Sequence, residues 1–347
     1  MTDERYRRQV EPYRAELLAH CYRMLGSAQD AEDALQDALT NAWRALPRFE
    51  GRSSLRSWLY AIATNACLKQ IERRPKRVLP VDYGPPTDPH DAPAARIERV
   101  WWVEPYPDAL LGLDAPVAGP EARYELRESV ELAFIAALQH LPPRQRAVLI
   151  LREVLGFSGA EVADALDTTP ASVYSALQRA HQAVDERMPA QSQQAALAAL
   201  GDERVRALVD RYLSAWERAD VDGVVALLTE DATVTMPPRP TWYRGRDAAA
   251  AFLREYPMAP AYRSRLVPVA ANAQLAFGHY FWEPERGAYV PHGINVISLR
   301  GDRIEDITTF LTDVAIDRLG LGPIDAEREA AGSGEVDVEE LHLRIAE

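Results

Sequence analysis

The stretch from Ala160 to Val184 constrains the fold of this chain most, because it predicts two short helices joined by a tight turn. Ser158 precedes Glu161 by three residues, the reciprocal spacing of a capping box at the start of the first helix. Thr169 supplies an N-cap side chain for the second helix, and Pro170 stands at its first position, where proline is tolerated. An apolar stripe at one-face spacing runs through both helices and consists of Val162, Ala163, Leu166, Val173, Leu177, Ala180 and Val184. The stretch therefore predicts a helix-turn-helix, with a plain helical hairpin as the alternative.

The second predicted helix turns small and hydrogen-bonding side chains away from its apolar stripe. These side chains belong to Ser172, Ser175, Gln178, Arg179 and Gln182. Groups of this kind reach base edges when a helix enters the major groove of DNA. Ser172, Ser175 and Arg179 are therefore candidate DNA-binding residues.

The charge balance of the chain limits the partners it can have. At 347 residues it is long enough for roughly two or three domains. Its net charge of −13 argues against a protein that coats nucleic acid indiscriminately, so any contact with DNA must be local. Residues 1–77 are the better candidate for meeting phosphate, since Lys and Arg outnumber Asp and Glu there.

Cysteine usage and hydropathy indicate the compartment. Cys21 and Cys67 lie in apolar helical patterns without the spacing of a zinc site, so we expect buried free thiols and no bound metal or other cofactor. The N-terminal segment lacks the apolar core of a signal peptide, and no run of about 18 apolar residues occurs. These features predict a soluble, cytoplasmic protein with no membrane partner.

Residues 9–77 read as three helices, of which the second has an unusually acidic face. Ser27 and Asp30 open this helix with capping chemistry. Its polar side consists of Glu32, Asp33, Gln36 and Asp37. None of these residues has a basic residue one helical turn later with which to pair. A solvated surface is the ordinary interpretation of such a face, and a docking surface for a basic partner is the alternative.

The third helix, from Leu55 to about Arg74, carries a more specific pattern. Trp58, Asn65 and Lys69 line up along its flank, and Arg73 continues its basic end. An aromatic ring, an amide and positive charge on one side suit a single-stranded nucleic acid, which needs stacking, base-edge hydrogen bonds and phosphate contacts. The preceding polar loop, which contains Arg52 and Ser53, offers room for a displaced base. The alternative is that the basic end merely complements the helix dipole.

Three segments carry a resemblance to a known family. They read AQDAEDALQDALTNAWRAL, FEGRSSLRSWLYAIATNACLKQIERR and LQHLPPRQRAVLILREVLGFSGAEVADALDTTPASVYSALQRAHQAV. In motif, order and spacing they resemble regions 2 and 4 of an extracytoplasmic-function (ECF) sigma factor of the sigma-70 family. The resemblance implies region 2 over residues 1–77 and region 4 over residues 121–188. At the start of region 4, the amphipathic pattern over 121–141 predicts one helix.

The same resemblance implies partners and roles for the candidate residues. Core RNA polymerase is the implied partner, held through its β′ clamp and β flap. The implied clamp-binding residues are Asp30, Glu32, Asp33, Gln36 and Asp37. The implied readers of the promoter −10 element are Arg52, Ser53, Trp58, Asn65, Lys69, Arg73 and Arg74. The helix-turn-helix residues Ser172, Ser175 and Arg179 are implied to read the −35 element.

Residues 78–120 are rich in proline and read as a linker, since ten of the 25 prolines of the chain fall between Pro75 and Pro120. The linker contains Trp101, Trp102 and Tyr106, which are costly to leave in water and should dock on a surface. A similar aromatic and proline-rich linker in sigma factors with an extra C-terminal domain implies contact with that domain. The alternative is a local hydrophobic cluster.

Residues 203–320 change from helical to β periodicity, which predicts an α+β domain. The segments RYLSAWERADVDGVVALLTEDATVTMPP, WYRGRDAAAAFL and INVISLRGDRIEDITTFL resemble the SnoaL-like cone fold. Such cones hold a pocket, and the candidate lining residues are Tyr212, Trp242, His279, Trp282, His292 and Asn295. The positions that match acids in isomerases of this fold hold Met236 and Asn295, so we expect binding and no catalytic residue.

Together these features predict a multi-domain chain with two all-α sigma domains, helical region 2 and helix-turn-helix region 4, plus an α+β SnoaL-like cone and an acidic tail over residues 321–347. The predicted function is promoter recognition and transcription initiation. A small-molecule or protein regulator is expected to act through the cone, in place of a separate anti-sigma factor. The alternative is a helix-turn-helix regulator fused to a small-molecule-binding or enzymatic cone.

Overall fold

Capping residues and proline breaks divide the chain into short helices followed by a sheet. The computed structural model describes residues 3–97, 101–113 and 119–325. The α-helices are α1 (Asp3–Val10), α2 (Arg14–Leu25), α3 (Ala28–Ala45), α4 (Leu55–Ile71), α5 (Pro80–Tyr83), α6 (Pro120–Glu128), α7 (Leu132–Gln139), α8 (Pro143–Leu149), α9 (Gly159–Ala165), α10 (Pro170–Asp185), α11 (Gln193–Leu200), α12 (Asp202–Glu217), α13 (Val221–Leu227), α14 (Arg246–Glu255) and α15 (Asp313–Arg318). The β-strands are β1 (Arg77–Val78), β2 (Trp101–Trp102), β3 (Leu228–Thr235), β4 (Trp242–Arg244), β5 (Ser264–Ala271), β6 (Gln274–Glu283), β7 (Ala288–Arg300), β8 (Arg303–Phe310) and β9 (Ile324–Asp325).

The chain divides into a helical unit and a C-terminal unit. The helical unit comprises residues 1–78 and 101–190, and the C-terminal unit comprises residues 79–100 and 191–347. The predicted linker 78–120 is therefore shared between the two units. The predicted acidic tail lies outside the described residues from position 326 onward.

Local capping sets the helix boundaries at the start of the helical unit. Gly26 ends α2 in the left-handed conformation, with φ of 65°, and the Ser27 side chain then accepts a hydrogen bond from the backbone of Asp30 at the start of α3. α2, α3 and α4 pack around buried residues that include Leu17, Cys21, Met24, Ala31, Leu35, Ala38, Leu59, Ala63 and Cys67. The two cysteines are buried free thiols, as expected. α4 ends at Ile71, three residues before the predicted end.

The amphipathic pattern over 121–141 predicts one helix, and that prediction is wrong. The chain forms α6 and α7 with a break between Glu128 and Leu132. Buried Arg23 of α2 explains the break, because its Nε donates to the backbone oxygen of Ser129 at 3.1 Å and its Nη2 to the Ser129 hydroxyl at 2.7 Å. A continuous helix would direct the Ser129 carbonyl to its own backbone ladder instead.

The helix-turn-helix prediction is confirmed in α9 and α10. Ser158 and Glu161 form the reciprocal capping box of α9. Asp167 has φ of 48° in the turn, a conformation that aspartate tolerates better than most residues. The Thr169 side chain then caps α10 by accepting from the backbone of Ser172.

The C-terminal unit is a curved sheet with helices packed on it. Its strand order is β4-β3-β8-β7-β6-β5, with β9 paired to β7, and β3 runs parallel to β8 while the other pairs are antiparallel. A two-residue turn at Gly301 and Asp302 joins β7 to β8. α12, α13 and α14 contribute to its core, which includes Val205, Leu208, Val209, Leu227, Val234, Phe277, Ile297, Leu299, Ile304 and Ile307. The predicted combination of helical domains and an α+β domain is confirmed.

Part of the predicted linker belongs to the C-terminal unit, and we call residues 79–97 the strap. The Trp242 indole N–H donates to the backbone oxygen of Gly84 at 2.8 Å, and the backbone N–H of Ala94 donates to the Thr241 hydroxyl at 2.7 Å. Further along, the backbone N–H of Ile97 donates to Pro238 at 3.2 Å. These contacts hold the strap along β4 and the loop before it.

In the part of the chain that the structure describes, no helix combines the length and the apolar character needed to cross a bilayer.

Candidate functional site

The acidic face of α3 is exposed at three of its five candidate positions. Asp33, Gln36 and Asp37 are exposed to solvent. Glu32 is half-buried and accepts a hydrogen bond from the Tyr106 hydroxyl at 2.9 Å. The exposed carboxylates keep most of their hydration, which leaves them available to a basic partner.

Asp30 differs from its neighbours because it is buried at the start of α3. Its Oδ2 accepts from Arg77 Nη2 at 2.5 Å, and its Oδ1 forms an ion pair with Arg74. Arg77 is also buried and donates to the backbone oxygen of Trp102 at 2.6 Å. Burial lowers the pKa of Arg77, and nearby Glu104 opposes that shift. These contacts give Asp30 a structural role and place it apart from the exposed acidic face.

The flank of α4 displays the aromatic and polar side chains of the predicted −10 reader. Trp58 is half-buried against Phe49, with ring centroids 5.0 Å apart. Asn65, Lys69 and Arg73 are exposed. The Trp58 ring is thus packed against Phe49, while Asn65 and Lys69 are exposed on the same helix and Arg73 just beyond its end.

The remaining region 2 candidates have local partners. Arg52 is exposed and pairs with Glu50 at 2.5 Å, and Ser53 is exposed beside it. Arg74 is engaged with Asp30, and its guanidinium lies 5.0 Å from the centre of the Trp101 ring. Arg74 therefore belongs to the same structural cluster as Arg77.

The outer face of α10 is exposed, as the helix-turn-helix prediction requires. Ser172, Ser175 and Arg179 all face solvent. The hydroxyl of Ser172 lies 3.0 Å from the Thr169 hydroxyl within the N-cap, so it is less available than Ser175. Tyr174, which the sequence analysis did not select, is 57% exposed on the same helix.

The two helical regions contact each other through α4 and α9. The Ser57 hydroxyl donates to Glu161 Oε1 at 2.9 Å. The Arg56 guanidinium lies 4.7 Å from the centre of the Phe157 ring. The pKa of Glu161 is lowered, first by the backbone N–H and hydroxyl of Ser158 and then by Ser57. This contact holds the helix that carries Trp58 against the helix-turn-helix.

The linker aromatics pack inside the helical unit. Strand β2, formed by Trp101 and Trp102, pairs in parallel with β1. Tyr106 is buried and stacks on Tyr22, with ring centroids 5.2 Å apart. The resemblance implied a contact between these aromatics and the C-terminal domain, whereas the segment bonded along β4 of that domain is the strap.

The C-terminal unit contains a partly open cavity of about 420 Å³. Its lining residues are Ala92, Pro93, Trp216, Val234, Thr235, Met236, Arg239, Phe252, Leu253, Tyr256, Pro257, Tyr262, His279, Phe281, His292, Ile307, Thr309 and Leu311. Of the six predicted lining residues, the set therefore includes His279 and His292.

The other four predicted lining residues are engaged in the walls. The Tyr212 hydroxyl donates to Asn295 Oδ1 at 3.0 Å, and Asn295 Nδ2 donates to the Thr309 hydroxyl at 2.9 Å. Trp242 uses its indole N–H to bind the strap, and Trp282 packs edge-on against Tyr289, with centroids 5.2 Å apart. These four side chains are therefore not among the residues that line the cavity.

Burial strongly shifts the pKa values of His279 and Asp306 in this unit. Burial lowers the pKa of His279 to about 3, with a further contribution from His292, so its imidazole is neutral at pH 7. Burial raises the pKa of Asp306 to about 6, although the Thr233 and Thr308 hydroxyls bind its carboxylate. A carboxyl group of this kind is a candidate base, but Asp306 is not among the lining residues of the cavity.

Comparison with known proteins accounts for both units. Residues 9–77 match the Sigma-70 region 2 family, residues 131–184 match Sigma-70 region 4, and residues 209–307 match the SnoaL-like domain. The ECF RNA polymerase sigma factor SigG of Mycobacterium tuberculosis (strain ATCC 25618 / H37Rv) is 42% identical over 315 residues, which cover 90% of this chain and 82% of SigG. The chain belongs to the ECF RNA polymerase sigma factor family. This ECF sigma factor carries a C-terminal SnoaL-like domain and acts in promoter recognition and transcription initiation with core RNA polymerase.

A second relative supports the arrangement of domains in this ECF sigma factor. SigJ of the same M. tuberculosis strain is 27% identical over 231 residues, which cover 65% of this chain and 63% of SigJ. The crystal structure of M. tuberculosis SigJ superposes with a TM-score of 0.58 at 20% identity and covers 90% of this chain and 98% of that chain. That likeness shows a shared fold.

Sequence reasoning missed three features of this ECF sigma factor. Tyr174 is a helix residue whose exposure was readable from its position beside the apolar stripe. The contact between Ser57 and Glu161 spans 104 positions and leaves no local pattern. Asp306 lies in an otherwise ordinary strand pattern, and its high pKa follows from tertiary burial alone.

Proposed function

We propose that each exposed face described above serves one step of promoter opening. The exposed acids of α3 bind the β′ clamp of core RNA polymerase, the flank of α4 with its preceding loop melts and reads the −10 element, and α10 reads the −35 element. Region 4 also contacts the β flap. The observation that carries the proposal is the half-buried ring of Trp58 beside exposed Asn65 and Lys69 on one helix.

Promoter opening needs a group that takes the place of a neighbouring base. Trp58 is braced by Phe49, so its ring is oriented before DNA arrives. Asn65 can bind a base edge, while Lys69 and Arg73 meet the phosphate backbone. These four residues can bind single-stranded DNA locally, so the protein need not be basic overall. This agrees with its net charge of −13.

We expect Trp58→Ala to reduce promoter opening by about tenfold to a hundredfold, because base stacking on an aromatic side chain contributes about 1–3 kcal/mol. The measurement is permanganate reactivity of unpaired thymines in the complex of DNA with reconstituted holoenzyme. Trp43→Ala is the matched control, since Trp43 is 38% exposed on α3 and is predicted to leave opening unchanged. Equal losses in the two variants would contradict the assignment.

Reading both elements requires the two helical regions to separate. The −10 and −35 elements are centred about 25 base pairs apart, which is roughly 85 Å along B-form DNA. In the described structure, by contrast, Ser57 of α4 donates a 2.9 Å hydrogen bond to Glu161 of α9. We therefore infer that the described helical unit is a closed form that opens on polymerase.

The strap gives the C-terminal domain a means of modulating this opening, in place of a separate anti-sigma factor. It connects β1 to β2, both in the helical unit, yet it is bonded along the C-terminal unit. Any change in the C-terminal unit that shifts the strap therefore acts on the chain between regions 2 and 4. A protein partner or a small molecule that binds this unit would change activity by that route.

Removing residues 191–347 is expected to raise basal transcription at least about fivefold, the lower end of ordinary coupling between sites. The truncation frees the strap from its bonds to Thr241 and Trp242. Run-off transcription with core polymerase measures the effect, and binding to core polymerase serves as the control that the helical unit remains folded. Unchanged transcription with unchanged binding would refute the regulatory role.

We infer that the cavity binds a ligand without chemical turnover. Met236 lines the cavity. It stands at the position that resembles that of the catalytic base in isomerases of this fold, and methionine takes no proton at neutral pH. Asn295 is bonded to Tyr212 and Thr309. The rival function, a helix-turn-helix regulator that acts alone, predicts tight duplex binding without polymerase and no co-purification with core enzyme.

A further inference from the structure

The cavity of the C-terminal unit has a mainly apolar and aromatic wall. Trp216, Phe252, Tyr262 and Phe281 supply rings, and Met236 supplies a flexible apolar side chain. At about 420 Å³ the cavity has the size of a small-molecule site. Its lining, within the described part of the chain, includes no carboxylate, so no side chain of opposite charge there pairs with a cationic ligand.

Two buried residues that line this cavity have polar atoms without a hydrogen-bond partner among the described residues, Trp216 at its indole nitrogen and His279 at both ring nitrogens. His279 is 3% exposed. Its ring contacts Trp216 and Phe281, with centroids at 5.0 Å and 4.7 Å, and these rings offer no strong acceptor. Buried polar side chains in proteins nearly always have a partner, so an unpaired one that lines a cavity points to a bound group.

The charge state of His279 restricts that group. A neutral imidazole presents one N–H donor and one bare nitrogen acceptor. Two other basic residues line the cavity, His292 and Arg239, and Arg239 donates from Nη1 to the backbone oxygen of Ala94 in the strap at 2.8 Å. A carboxylate or phosphate bound to His279 would lose hydration beside a neutral imidazole. A hydroxyl suits either tautomer of His279, because it can donate to the bare nitrogen or accept from the N–H.

We propose that this cavity binds an uncharged, mainly apolar small molecule through a hydroxyl group that hydrogen-bonds to His279. The aromatic wall holds the apolar body of the ligand, and His279 selects its polar group. This inference deepens the proposed regulatory function, on which it rests for its effect on transcription but not for binding itself.

The strap forms part of the cavity wall, so an occupant touches it directly. Ala92 and Pro93 line the cavity. On either side of them the strap is fixed by hydrogen bonds, from the Tyr243 hydroxyl to the Asp91 backbone at 3.4 Å and from the Ala94 backbone to Thr241 at 2.7 Å. A ligand in contact with both His279 and Pro93 therefore changes the stability of the strap on the C-terminal unit.

Binding is tested on the full chain with three probes of similar shape: naphthol, naphthalene and naphthoate. By calorimetry we expect naphthol to bind about tenfold more tightly than the other two, since it alone combines neutrality with a hydroxyl. His279→Leu should reduce the preference for naphthol over naphthalene to less than about twofold, whereas His279→Gln, which retains a donor and an acceptor, should preserve most of it. His90→Leu is the matched control at an exposed strap histidine and should behave as the wild type.

Thermal unfolding shows whether the variants remain folded. His279→Leu should unfold at the same or a higher temperature than the wild type, because it removes an unpaired buried polar group. Equal affinity for the three probes, a preference for naphthol over naphthalene that survives in a folded His279→Leu protein, or no binding at millimolar probe would each overturn the proposal.

A transcription assay separates this inference from the regulatory function. Naphthol is added to run-off reactions with the wild type and with His279→Leu at concentrations set by the calorimetry. A change in transcription with the wild type alone supports both proposals. Selective binding without any change in transcription supports the ligand site and refutes regulation through it.

Discussion

Asp30→Asn is expected to lower the free energy of unfolding of the helical unit by about 3 kcal/mol, because it leaves Arg77 buried without its main counter-ion. The Asp30 side chain is 5% exposed and that of Arg77 is 8% exposed, so water cannot replace the lost carboxylate. An asparagine can accept through one oxygen, but its amide group would face the guanidinium donors of Arg74 and Arg77. Glu104, 3.6 Å from Arg77, compensates in part and keeps the loss at the lower end of the range for buried pairs.

The matched control for Asp30→Asn is Asp37→Asn on the same helix. Asp37 is exposed, so its neutralisation should change the free energy of unfolding by less than about 0.5 kcal/mol. Hydrogen exchange of amides in α3 and α4, followed by mass spectrometry, reports on the helical unit separately from the C-terminal unit. Equal protection in the two variants would show that Asp30 is not part of a stabilising buried pair.

Charge reversal of the exposed acidic face, Asp33→Lys with Asp37→Lys, should weaken binding to core RNA polymerase by at least about a hundredfold. The proposed clamp surface is basic, and placing like charges against each other costs several kcal/mol. Both residues are exposed, so the free energy of unfolding should change by less than about 1 kcal/mol. The large effect on binding is therefore separable from any effect on folding.

Competition binding with labelled wild-type protein measures this loss. Glu11→Lys with Glu72→Lys makes the same change in net charge at exposed positions outside the acidic face and should bind within about twofold of the wild type. Wild-type affinity should also fall as salt rises. If the Asp33 and Asp37 double variant bound core polymerase as the control does, α3 would not be the docking face.

Local sequence patterns predicted most of the secondary structure. The capping box of Ser158 and Glu161 and the N-cap at Thr169 depend on side chains three residues from their partners, so the sequence displays them directly. The predicted helix over 121–141 was wrong because a residue far away in the chain, Arg23, takes the carbonyl of Ser129. No sequence pattern near Ser129 predicts that hydrogen bond.

The candidate site residues likewise differ in whether a local pattern or a distant contact sets their exposure. Asp33 and Asp37 were readable as an exposed acidic face, because helical periodicity alone sets the face on which they lie. Asp30 belonged to the same acidic run, and its burial followed from Arg77, 47 residues later. In the cavity, His279 and His292 are lining residues, while Tyr212 and Asn295 bond to each other across 83 positions.

By itself, the sequence determined the kinds of element, their order and the family, because periodicity, capping and motif spacing act over a few residues. Only the tertiary structure decided which charges are paired, where the linker aromatics pack and what closes the cavity. The strap reaches Trp242 across 158 positions and Arg77 reaches Trp102 across 25. Burial and pairing over such distances depend on how whole elements pack, and no local pattern encodes that packing.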